Sequence, residues 1–114
     1  MMFMTAWKRS LMKKMDKVLS LLGLAAKGKN LVSGEFMVEK AVKGGKAALV
    51  IVGTDASDNT KKMFTNMCNY RSIPIQFYGL KEELGRAIGR EMRASVAVTS
   101  PGIAANIIKH LEEQ

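Results

Sequence analysis

Apolar positions along the chain follow two alternating periods, and the alternation defines the elements. Val18, Leu21, Leu22, Ala25 and Ala26 fall at helical spacing and predict an amphipathic helix over residues 16–27, stopped by Gly28. Leu31 and Val32 allow only a very short strand. Ser33 is the expected N-cap of a second helix, with Glu35 in its first turn near the positive end of the dipole. That helix turns Val38, Ala41 and Val42 inward and ends at Gly44-Gly45. Ala47 to Val52 is a continuous apolar run, too short for a helix, and predicts a central strand buried on both faces. Thr54-Asp55 or Ser57 opens a third helix that reaches about Cys68. Ile73 to Tyr78 predicts a strand whose Pro74 marks its first residues or a sheet edge. Glu82 to Ile88 predicts a short helix, and Ala94 to Thr99 a second apolar strand. Ser100-Pro101 starts a last helix that buries Ile103, Ile107, Ile108 and Leu111. Helices and strands alternate throughout, so helices must cover both faces of a small mixed sheet. The expected fold is α/β, a three-layer α/β/α sandwich.

Composition limits the alternatives. With 114 residues, 47% of them hydrophobic, the chain suits one domain with its own core and is too apolar to be disordered as a whole. The periodic pattern begins beside Met15, so residues 15–114 are expected to form that domain and residues 1–14 a flexible basic extension outside it. The net charge is +8, half of it in the first fifteen residues, where Lys8, Arg9, Lys13 and Lys14 meet no acid. A basic surplus favours a polyanionic partner, although a merely solubilising charge also fits. A basic arm touching phosphates is the functional alternative for the extension. One cysteine excludes an internal disulfide and suits a reducing, cytoplasmic setting. No apolar run approaches the roughly 20 residues that span a bilayer, so no membrane role is expected.

Candidate chemistry is sparse. His110, the only histidine, lies in the last turn of the last helix, where a cation caps the dipole. Cys68 has no sequence neighbour that would activate it and reads as a buried thiol. No pair of Cys and His groups suits a metal cluster, and neither a Walker loop nor a Gly-x-Gly-x-x-Gly occurs. The expectation is a protein without catalysis, cofactor or metal. Three segments carry what remains. Around Lys29 and Ser33-Gly34-Glu35, a helix N-terminus after a glycine offers free N–H groups to an anion, with Lys40 nearly two turns further on. Capping with solvated lysines explains that segment equally well. Leu84-Gly85-Arg86-Ala87-Ile88-Gly89 is followed by Arg90, Glu91, Met92 and Arg93, where guanidinium forks can hold phosphates and an apolar side chain can cover an unstacked base. An ordinary solvated loop is the alternative. Beyond the central strand, Asp55 lies where α/β sheets often bind ligands, although a helix cap explains that segment better.

Taken in order, these segments resemble the kink-turn-binding ribosomal protein superfamily, that of archaeal large-subunit protein seven-Ae and eukaryotic large-subunit protein thirty-e. The similarity is closest to small bacterial members and covers about residues 16–111. It rests on Ser33-Gly34-Glu35 with Lys40, on Leu49 to Val52 ending in Asp55, on Ile73-Pro74, and above all on Leu84-Gly85-Arg86-Ala87-Ile88-Gly89. The resemblance implies the three-layer fold and binding to kink-turns, which are sharply bent RNA duplexes with tandem G·A pairs. It implies that the helix after Gly34 enters the RNA groove, that Lys40 contacts RNA, and that Arg90, Glu91, Met92 and Arg93 cover a flipped-out nucleotide. One departure matters. Where the archaeal pattern has Asn and Glu reading guanine edges, this chain has Phe36 and Met37, which shifts weight to shape and phosphate contacts. Phe36 could equally be a core residue, and Glu35 a displaced substitute.

The expected RNA-binding residues are therefore Lys29, Ser33, Gly34, Glu35, Phe36, Met37, Lys40, Asp55, Arg90, Glu91, Met92 and Arg93. The expected partner is structured RNA of the kink-turn type, ribosomal RNA or the ribosome included, bound by a monomer. The competing expectation is a protein-interaction module on the same fold, anchored by Phe36 and Met37, with weak non-specific RNA affinity. A small-molecule or enzymatic site near Asp55 is the third.

Overall fold

The computed structural model describes residues 6–113, with side chains from Lys17 onward. Five helices and four strands alternate along them. The elements are α1 (Ala6–Lys27), β1 (Leu31–Ser33), α2 (Glu35–Lys43), β2 (Leu49–Val52), α3 (Asp58–Arg71), β3 (Ile75–Phe77), α4 (Lys81–Ala87), β4 (Ser95–Val98) and α5 (Pro101–Glu112). The strands form one mixed sheet in the order β1-β4-β2-β3. β4 pairs antiparallel with β1 and β2, while β3 runs parallel to β2.

The apolar runs behave as their composition requires. Every residue of β2 and β4 is buried, because both are inner strands with helices on both faces. Side chains alternate across the sheet, so each strand feeds two cores. Leu49, Ile51, Val96 and Val98 pack with Val18 and Leu22 of α1, Leu84 of α4, and Ala104 and Ile107 of α5. Val50, Val52 and Ala97 pack with Val38, Ala41 and Val42 of α2, and Phe64 and Cys68 of α3. The fold is the three-layer α/β/α sandwich expected from the alternation. β3, which follows Pro74, is an edge strand.

Several local expectations need correction. The first helix begins at Ala6 rather than residue 16, so the backbone of residues 6–14 continues α1; residues 1–5 of the expected extension lie outside the described residues. Gly28 follows that helix, but the left-handed residue ending it is Lys29, at φ +61°. Asn30 N–H donates to Ala25 O at 2.7 Å and Lys29 N–H to Ala26 O at 3.1 Å, the paired bonds of a Schellman cap. Ser33 does not cap α2. Gly34 holds that position with no side-chain bond, and Ser33 is instead the last residue of β1. Of the two proposed starts of α3, Ser57 is the cap, its Oγ accepting from Thr60 N–H at 3.2 Å. Ser100 caps α5 as expected, accepting from Ile103 N–H at 3.3 Å. In α5 the fully enclosed side chains are Ala104 and Ile107, while Ile103, Ile108 and Leu111 are half-buried against the same core. His110 Nδ1 lies 3.3 Å from Glu113 Oε1 in the final turn.

The strand directions decide where function can sit. The carboxyl ends of β1, β2 and β3 and the amino end of β4 all meet at one end of the sheet. The first turns of α2, α3 and α4 and the loop between α4 and β4 therefore gather there.

Candidate functional site

The site grows from Gly34. Its backbone lies at φ +89° and ψ 152°, a conformation available to glycine and strained for any side chain. That geometry turns the chain directly from β1 into α2. Gly34 N–H is taken by Ser95 O at 3.0 Å, which fastens the turn to β4. No side chain caps the first turn of α2, so its N–H groups face outward with the positive end of the helix dipole behind them. Glu35, Phe36 and Met37 are exposed there. Phe36 is 74% accessible and Met37 42%, which removes the core reading of Phe36.

The loop between α4 and β4 forms the opposite wall. Gly85 is buried, and its missing side chain lets the Glu91–Met92 backbone lie directly against α4. Gly89 makes the turn at φ +74°. Arg90 N–H donates to Gly85 O at 2.8 Å, and Arg93 N–H to Lys81 O at 3.0 Å, so the loop is held at both ends. Arg93 Nε donates to Ser33 Oγ at 3.1 Å, and its Nη1 to Met92 O at 2.9 Å. This explains why Ser33 is not a cap: its hydroxyl orients a guanidinium 60 residues away in sequence.

Together the two walls enclose a cleft of about 440 Å³, lined by Ala26, Leu31, Val32, Ser33, Met37, Ile88, Arg90 and Arg93. Its lining combines the apolar side chains of Leu31, Val32, Met37 and Ile88 with two guanidinium groups. The ion pairs among the described residues are Lys43–Glu39, Arg86–Glu82 and His110–Glu113, so neither Arg90 nor Arg93 spends its charge on a carboxylate. Met92, 56% accessible, and Glu91 are exposed on the loop beside the cleft. A planar, apolar group flanked by anionic oxygens suits such a cleft.

Four of the expected residues, Ser33, Met37, Arg90 and Arg93, thus share one cleft, and Gly34, Glu35, Phe36, Glu91 and Met92 border it. Lys40 is exposed one turn beyond Phe36 on the outer face of α2. Two residues sit elsewhere. Lys29 precedes β1 and does not line the cleft, although Ala26 and Leu31 on either side of it do. Asp55 accepts from Lys81 N–H at 2.8 Å and caps α4 across 26 residues of sequence. Sequence reasoning passed over Ile88, Val32 and Leu31 as ordinary apolar residues. Ile88, enclosed between Gly85 and Gly89, was the one with a visible signal.

Comparison with known proteins identifies the family. Residues 16–108 match the family described as ribosomal protein L7Ae/L30e/S12e/Gadd45. The chain belongs to this family. Among curated L7Ae-family relatives, RNA-binding protein YlxQ of Bacillus subtilis (strain 168) is 44% identical over 92 residues, covering 81% of this chain and 92% of that protein. RNA-binding protein YlxQ of Enterococcus faecium is 32% identical over 75 residues, covering 66% of this chain and 73% of its own length. Among solved structures, a protein of unknown function from Bacillus halodurans superposes with a TM-score of 0.82 at 40% identity, covering 84% of this chain and 97% of that one. The Giardia lamblia 15.5kD RNA binding protein superposes with a TM-score of 0.75 at 26% identity, covering 89% of each chain.

Proposed function

We propose that this L7Ae-family protein binds structured RNA of the kink-turn type, as a cytoplasmic monomer that performs no chemistry of its own. The observation that carries the proposal is the cleft joining the first turn of α2 to the Arg90–Arg93 loop. An extruded nucleotide would lie against the apolar side chains of the cleft while Arg90 and Arg93 hold its phosphates. The uncapped turn at Gly34 would face the bent backbone. Family membership and relatives named as RNA-binding proteins support the same reading. Ribosomal RNA is among the RNAs of this class. Because Phe36 and Met37 lack the polar groups that read base edges, selectivity would come from the shape of the bend and from phosphates.

The exposure of Phe36, Met37 and Met92 also favours a second reading, an apolar anchor for a protein partner. One titration separates the two. Binding is measured against salt for a kink-turn duplex and for the same duplex with its G·A pairs replaced by Watson–Crick pairs. Selective binding that persists at physiological salt is expected, and Lys40→Ala should lower affinity and reduce the salt slope by about one. Equal, weak binding to both RNAs that vanishes with salt would refute kink-turn recognition and favour the protein partner.

A further inference from the structure

At the opposite end of the sheet from the cleft, the last turns of α2 and α3 border an open groove of about 590 Å³. Lys43, Gly44 and Gly45 form one side, and Tyr70, Arg71 and Ile73 the other. No acid lines it, and the exposed Lys46 stands between its lining residues Gly45 and Ala47. Tyr70 is 84% accessible, so core packing does not account for an aromatic side chain there. The Arg71 guanidinium lies over the Tyr70 ring, 5.6 Å from its centre, and Tyr70 is still 84% accessible, so a ring face remains open to a ligand. Gly45 takes φ +71° and has open space around its α-carbon, so a ligand backbone can approach closely.

We infer that this groove binds single-stranded RNA, with one base stacked on Tyr70 and the adjoining phosphates on Arg71 and Lys46, while Lys43 is paired with Glu39 at 3.0 Å. A flat, exposed ring beside cations matches an unpaired nucleotide, which offers a π-face and an anion together. A duplex keeps its base faces stacked inside and would use only the cations. The groove is also connected to the cleft. Phe36, Lys40 and Lys43 stand at i, i+4 and i+7 on the outer face of α2, a stripe about 10 Å long. Resting on the proposed binding of a bent RNA at Gly34, the inference is that a strand leaving the bend runs along this stripe into the groove.

The test uses the full chain and four RNAs at fixed salt: a blunt kink-turn duplex, the same duplex with a single-stranded tail, the same with a double-stranded extension, and a short oligouridine. Wild type should bind the single-stranded tail more tightly than the other two kink-turn forms. Tyr70→Ala should lower affinity for the tailed RNA roughly 5- to 100-fold and leave the blunt duplex unchanged, whereas Tyr70→Phe retains the gain. Arg71→Ala should also lose it. No gain from the tail, a gain insensitive to Tyr70→Ala, or an equal gain from the duplex extension overturns the inference. If none of the three kink-turn forms binds, the reading of the cleft falls, and oligouridine decides the groove: binding abolished by Tyr70→Ala supports it, and absent or Tyr70-independent binding overturns it.

Discussion

Gly85→Ala tests the link between packing and site most directly. A Cβ at Gly85 would overlap the carbonyl carbon and oxygen of Glu91 and stand 3.1 Å from Met92 Cα. These are backbone atoms, so no side-chain rotation relieves the collision. Ordinary separation, about 3.5 Å, can return only if the whole loop retreats from α4. Overpacking of this kind costs on the order of 1–3 kcal/mol. The retreat also strains the Arg90 N–H to Gly85 O bond of 2.8 Å, which is worth about 1 kcal/mol. Together, Gly85→Ala should destabilise the fold by about 2–4 kcal/mol, which lowers the melting temperature by about 10 °C or more. Urea unfolding should show an earlier midpoint at unchanged slope. Under conditions where the variant is fully folded, RNA affinity should still fall, because Arg90 and Arg93 move with the loop. Gly89→Ala is the control: its φ of +74° makes a side chain strained, but the space around it is open, so about 1 kcal/mol is expected. A Gly85→Ala stability within about 0.5 kcal/mol of the parent would refute the argument.

Three further outcomes follow from the geometry. Asp55→Ala removes the acceptor 2.8 Å from Lys81 N–H and should cost about 1 kcal/mol in urea unfolding, with RNA affinity unchanged because Asp55 serves α4 rather than the cleft. Lys29→Gly relieves a left-handed residue at φ +61° and should raise stability by about 0.5–1 kcal/mol; with Lys29 at the far end of β1, kink-turn affinity should not change, and a marked loss would place RNA at that end of the strand. Burial pushes the Cys68 thiol above its ordinary 9.0, so the folded state keeps the proton that the unfolded chain releases. That stability contribution is complete below pH 9 and is lost as pH rises through the folded value. Cys68→Ala should therefore flatten the alkaline decline of unfolding free energy, and an unchanged decline would assign it to other groups.

Much of the fold was legible along the chain because its signals are local. Val38, Ala41 and Val42 mark a helix face through their spacing alone, and the run from Leu49 to Val52 marks an inner strand because only a doubly covered strand tolerates four apolar residues in succession. Gly85 and Gly89 announced a tight turn before any partner was known. What spacing could not convey was which atoms meet across the chain. Ser33 has the chemistry of a cap, yet its hydroxyl is taken by Arg93, because β1 pairs with β4 and brings them together. Asp55 has the position of a ligand-binding residue, yet it faces the first N–H of α4. Phe36 suited core and surface equally until the α2 face was set by Val38, Ala41 and Val42.

The sequence by itself thus determined the elements, the layers and the segments that carry positive charge, since periodicity, caps and glycines act within a few residues. The tertiary structure alone decided the strand order, the cleft shared by Met37, Arg90 and Arg93, the removal of Lys29 and Asp55 from it, and the groove beside Tyr70. Those depend on contacts between distant segments, which follow from how the two cores close around the sheet rather than from any spacing along the chain.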